Sequence, residues 1–114
     1  MYKFSSVVDD ITFEKIKNGT KKVKFYLCDD KCAGLSTGDY FYLLDKNNKK
    51  LPLLVKNIEK SKDLNSLVRK YSLKDLGEAD YNSAYSNIKK WFSDSDIEKY
   101  SIMSVLVEIV DEEN

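Results

Sequence analysis

The stretch NGTKKVKFY, Asn18 to Tyr26, carries the reading of this chain. The 114 residues hold 19 Lys+Arg against 19 Asp+Glu, a formal net charge of +0. Yet from Lys15 to Lys24 there are five lysines and no acid. The end of the stretch alternates: Lys22, Lys24 and Tyr26 are interleaved with Val23, Phe25 and Leu27, the period-two pattern of a half-buried strand. That pattern aims Val23, Phe25 and Leu27 at a core and sets two ammonium groups and a phenol on the other side. One reading of that side is an anion-facing wall, with ammonium groups to hold phosphates and an aromatic ring to stack on a base. The plainer reading is a solvated strand face. The local excess of cations keeps the first reading in view.

Working outward, residues 12–18, TFEKIKN, read as a short helix. Thr12 is its expected N-cap, Ile11 and Ile16 form a hydrophobic staple, and Gly19 stands where a C′ residue belongs. After the strand comes a polar connection over residues 28–36. Gly38-Asp39 then opens a second strand, YFYLLD. The run KNNKK is a hairpin loop, with Asn47 and Asn48 suited to left-handed conformations. LPLLVKNIEK is a third strand. Pro52 has no N–H for the ladder, so it belongs at the start or on an edge. The period then changes. Leu64, Leu67, Val68 and Tyr71 predict a helix over about 63–70, and Ser72 to Asp75 resembles a capping box. Ala84, Tyr85, Ile88, Trp91 and Phe92 predict a longer helix over about 83–92. Ser95 and Glu98 start another, and IMSVLVEIV closes the chain as a strand. The order α-β-β-β-α-α-β predicts an α+β fold, a small mixed β-barrel or strongly curled sheet with helices alongside, closed by the last strand.

Composition narrows the function classes. The length predicts a single domain over residues 1–114, with a core of about 8–110 and an acidic tail over 111–114. Hydrophobic residues make up 42%, and the 33% charged fraction is balanced, which argues against disorder. No 18-residue apolar run is present, so no membrane span is expected. The start, MYKFSSVVDDITF, lacks the apolar core of a signal peptide, and a cytoplasmic location is expected. Cys28 and Cys32 are too few for a metal site, the chain has no histidine, and neither a metal nor a cofactor is expected. The pair reads as two reduced thiols. Without histidine, Ser-His, Cys-His and His-metal mechanisms are excluded. Chemistry would have to come from Lys, Tyr, Ser/Thr and carboxylates.

Other groups are read more plainly. Lys46, Lys49, Lys50 and Lys56 form a second basic run, which matters only if it shares a side with Lys21 and Lys24. Tyr81, Tyr85 and Trp91 are expected to pack the helical region. Asp75 and Glu78 read as surface charge, since nothing in their spacing pairs either with a lysine.

The ordering resembles the ASCH domain, a branch of the PUA-like superfamily, over about residues 8–110. The family's front signature, Gly-x-Lys-x-(Val/Ile)-Glu-x-Arg, is matched at Gly19, Lys21 and Val23. Its Gly-Asp turn is matched at Gly38-Asp39, and its lead-in to the last strand is similar to Phe92-Ser93 through Lys99-Tyr100. The chain departs from the signature at two positions: Lys24 stands for Glu and Tyr26 for Arg. The resemblance implies a PUA-like barrel with a cleft for RNA or a modified nucleoside. Some relatives are amidohydrolases on N4-acetylcytidine, using Lys, Thr and Glu. Lys21 matches that lysine, Lys24 aligns with the threonine and cannot replace its hydroxyl, and Asp75 or Glu78 could stand for the glutamate. Other relatives are ribonucleases with Lys, Tyr and Ser in the cleft.

Three readings follow. The first is an RNA- or nucleotide-binding module in which Lys21, Lys22 and Lys24 contact phosphate and Tyr26 stacks or donates a hydrogen bond. The second is an enzyme, a deacylase of N4-acetylcytidine or a metal-independent ribonuclease, with Lys21 as catalytic base or nucleophile. The third is a decayed cleft serving protein interaction.

Overall fold

Both faces of the strand inside NGTKKVKFY are covered, and the architecture follows from that. A computed structural model describes residues 2–110; the expected acidic tail lies outside the described residues. The elements run β1 (Tyr2–Val7), α1 (Asp10–Lys17), β2 (Val23–Leu27), β3 (Tyr40–Leu44), β4 (Lys50–Ser61), α2 (Leu64–Val68), α3 (Leu73–Leu76), α4 (Tyr81–Lys89), α5 (Asp94–Tyr100) and β5 (Ile102–Ile109). The five strands form one sheet in the order β1-β3-β4-β5-β2. The β1–β3 pair is parallel and the other three pairs are antiparallel.

β1 and β2 are the two edges of this sheet, yet their side chains meet. The Tyr26 hydroxyl donates to Ser6 Oγ at 3.0 Å, and the Phe4 and Tyr26 rings stand edge to face with centroids 6.2 Å apart. The sheet is therefore curled into a half-barrel. This is the strongly curled α+β sheet with helices alongside that the sequence predicts. Its concave side holds one apolar cluster, with Phe41, Leu43, Leu53, Val55, Met103 and Val105 from the strands and Phe13 and Ile16 from α1. A second cluster lies on the convex side, where Val23, Phe25 and Ile102 pack under Leu64, Leu67, Val68, Leu76, Ala84, Ile88 and Ile97 of α2–α5. Val23, Phe25 and Leu27 thus face a core, as expected, but it is the helical one, and Tyr26 belongs to the other.

The helices are short, and local signals fix their ends. Asp9, Asp63, Ser72, Asp80 and Ser93 each accept a hydrogen bond from the backbone N–H three residues on. Two of these caps correct the sequence reading: Asp9 rather than Thr12 starts α1, and Ser93 rather than Ser95 starts α5. In both, the residue expected as cap lies within the first turn. α2 and α3, of five and four residues, are too short to persist alone and are held by Leu64, Leu67, Val68 and Leu76. Trp91 departs from expectation: it is 69% exposed, while Tyr81 and Tyr85 pack as foreseen. β1 was not read from the sequence at all. No helix among the described residues is long and apolar enough to cross a membrane.

Candidate anion-binding site

Two turns distant in sequence build the site. The first follows α1. Gly19 takes φ 83°, and the N–H groups of Thr20 and Lys21 both donate to Lys15 O, at 2.9 and 3.1 Å. The Thr20 hydroxyl lies 2.8 Å from Asn18 Oδ1 and steadies this fold-back. The chain thereby returns over the helix end and delivers Lys21 and Lys22 to the start of β2. The second turn is the C-terminal end of α3. Gly77 has φ 72°, and a Cβ there would lie 2.8 Å from Thr20 O and 3.1 Å from Lys21 Cβ. Only a residue without a side chain lets the two turns press together. Two hydrogen bonds then join them: Lys22 N–H to Asp75 O at 2.7 Å, and Lys21 Nζ to Leu76 O at 3.1 Å.

Lys21 is largely withdrawn from water. Its amine is lowered from 10.5 to about 8, first by loss of hydration, then by the Lys24 ammonium and less by Lys15, while the Glu78 carboxylate pulls the other way. Lys24, on the barrel side of β2, is also lowered by burial, with Asp9 opposing. Its Nζ lies 5.3 Å from the Tyr26 ring centroid. The Asp9 carboxyl is itself held low, chiefly by the Thr12 N–H it caps and less by the Lys24 and Lys46 charges. Ion pairs among the described residues are Lys56–Glu108, Lys62–Glu98, Lys70–Glu59 and Lys89–Asp94; neither Lys21 nor Lys24 takes part in one. Two partly buried cations that repel each other, with no carboxylate of the described residues in ion-pair contact, form an arrangement that a bound anion stabilises.

Beside Lys21 opens a cavity of ≈ 340 Å³, whose polar rim is Lys21, Lys22, Lys56, Asp75 and Glu108. The structure thus brings Lys21 and Lys22 together and adds Lys56 from the second basic run. Lys24 stands outside this wall and acts on it through its charge on Lys21. Lys46 faces Asp9 instead, and Lys50 lies over the Tyr42 ring at 5.0 Å. Tyr26 offers no free face to a base. Its ring is edge-on to Phe4 and Phe41, its hydroxyl is taken by Ser6, and burial raises its pKa. Its position makes it the clasp of the barrel seam.

Asp75 and Glu78, read as surface charge, both belong to the surroundings of Lys21. They arrive on a turn more than fifty residues later, so no local spacing reveals them. The one sequence signal was the capped turn from Ser72 that ends at Gly77. Cys28 and Cys32 are free, and burial first, then Asp29, pushes the Cys32 thiol up to about 11. No cluster of three or more His, Cys, Asp or Glu able to hold a metal is found among the described residues.

No protein-family model matches the chain, and no curated protein matches it. Solved structures do. Hypothetical protein PH0355 superposes with a TM-score of 0.79 at 19% identity, over 94% of this chain and 98% of that one. Protein PF0455 from Pyrococcus furiosus gives 0.71 at 19% identity, over 95% and 97%. A mutant of ZmASCH from Zymomonas mobilis gives 0.64 at 13% identity, over 93% of this chain and 68% of that one. The chain has an ASCH-like fold. Within this ASCH-like frame, Gly19 and Lys21 of the matched signature lie at the fold-back and on the cavity rim, and the departures Lys24 and Tyr26 lie on the barrel side of β2.

Proposed function

We propose that the junction of α1, β2 and α3 binds the phosphates of RNA or of a nucleotide-like ligand, through Lys21, Lys22 and Lys24. The observation that carries this reading is the closeness of Lys21 and Lys24, both partly buried, without a carboxylate in ion-pair contact among the described residues. The neutral chain favours a small footprint, a nucleotide or a short single strand. Fluorescence anisotropy with a labelled short single-stranded RNA tests it. Lys24→Gln is expected to weaken binding by about tenfold, the size of one charge-assisted contact. Equal affinities for the wild type and Lys24→Gln would remove Lys24 from the interface.

A second reading is favoured by one observation, the Lys21 amine lowered to about 8. Such an amine is partly neutral near physiological pH and is suited to act as base or nucleophile. Incubation with N4-acetylcytidine, and separately with labelled RNA plus chelator, tests this. Turnover that disappears in Lys21→Ala supports an enzyme; indistinguishable behaviour of the two proteins in both assays rejects it.

A further inference from the structure

The cavity beside Lys21 has a second half that phosphate binding alone leaves unexplained. Its floor is apolar, made by Ile16, Leu106, Val107 and Ile109, and Ile109 is 42% exposed at the edge. The volume, ≈ 340 Å³, sits at the lower end of the roughly 300–1,000 Å³ of small-molecule sites. One face of the cavity therefore suits a flat apolar body, the rim suits an anion, and the space admits one small molecule.

Lys56 reaches the rim because of a register break. In the β4–β5 ladder Val55 opposes Val107 and Asn57 opposes Leu106, so Lys56 is the extra residue of a β-bulge. A bulge frees its residue from the ladder and re-aims the side chain. Lys56 is then held by Glu108 alone among the ion pairs of the described residues, at 3.5 Å, with the two side chains 49% and 58% exposed. A pair that open to water is weak, and a better anion displaces it.

We propose that this cavity takes a single nucleoside monophosphate, free or at a chain end. Its base lies on Leu106 and Ile109, and its phosphate lies on Lys22 and Lys56 in the place that the Glu108 carboxylate takes beside Lys56. Glu108 is a built-in competitor: it keeps Lys56 paired until the phosphate arrives. This rests on the anion-binding reading above and adds the size of the ligand, the role of the apolar floor and a residue that opposes binding.

The test is calorimetric titration of the full chain at fixed low salt with adenosine 5′-monophosphate, adenosine and inorganic phosphate. The nucleotide is expected to bind at least tenfold more tightly than either part. Glu108→Gln is expected to tighten nucleotide binding three- to tenfold and Lys56→Gln to weaken it by a similar factor. In the double variant the gain from Glu108→Gln disappears. Glu98→Gln, which removes one negative charge at the separate Lys62–Glu98 pair, is expected to leave affinity unchanged. A gain in Glu98→Gln equal to that in Glu108→Gln would reduce the effect to net charge and overturn the proposal. Unchanged or weaker binding in Glu108→Gln, or a nucleotide no tighter than phosphate, also overturns it. If short RNA binds in a Lys24-dependent way while the nucleotide does not, this inference fails alone; if neither binds, the anion-binding reading fails with it.

Discussion

Lys21 is kept as a cation against its surroundings. Its amine titrates near 8 in the folded chain and near 10.5 when unfolded. Between those values the unfolded chain binds a proton that the folded chain does not, so the Lys21 contribution to stability improves as pH rises from about 8 toward 10.5. Below about 8 the buried charge burdens the fold. Thermal melts across this range should show Lys21→Met gaining most over the wild type near pH 7, with the gain shrinking toward pH 10; an offset constant with pH would contradict the burial of a charged amine. Tyr26 makes the opposite case. Tyr26→Phe breaks the bond to Ser6 and is expected to cost about 1 kcal/mol in denaturant unfolding, while leaving RNA affinity unchanged. A loss of RNA affinity without loss of stability would return Tyr26 to the ligand interface. Sequence alone singled out Lys21 but could not give its surroundings, Leu76 O and Glu78, because both come from a distant turn.

At the scale of elements, the site depends on two glycines of different character. Gly19 and Gly77 both have positive φ, but a Cβ at Gly19 meets nothing within 4 Å, whereas at Gly77 it strikes Thr20 O. Gly19→Ala should therefore cost only the left-handed backbone strain, about 1 kcal/mol. Gly77→Ala should cost more, about 2–3 kcal/mol, and should weaken RNA binding as well, because the clash displaces the chain carrying Lys21. Chemical denaturation and anisotropy on the two variants check this, and equal effects would mean that the α3 turn does not support Lys21. Strands β2 to β5 and the longer helices were legible because alternation and helical spacing are local signals; the finer ones misled, since two caps lie elsewhere and Ile11, expected in a staple, is 72% exposed inside α1. β1 was not, since Ser5 and Ser6 interrupt its apolar alternation, and Ser6 is polar because it must meet the Tyr26 hydroxyl. The second cover of β2 was also hidden, since Leu64, Leu67 and Val68 lie some forty residues further on.

At the scale of the molecule, a curled sheet with helices on one flank gathers cations that the neutral sequence spreads along the chain. Lys21 and Lys22 after α1 and Lys56 of the bulge arrive at one cavity, while Lys24 stands on the barrel side of β2 and Lys46 and Lys50 go elsewhere. The element order gave the ASCH-like fold, but not this sorting, which depends on register and on a bulge. The central claim is that Lys21, Lys22 and Lys24 act together on phosphates, and the salt dependence of RNA binding tests it most directly. For a short single strand the log–log slope of affinity against salt should be near −2, about −0.7 for each of three contacts, and should fall to about −0.7 in the Lys21→Gln/Lys24→Gln double variant. Salt-insensitive binding, or one slope shared by both proteins, would contradict it.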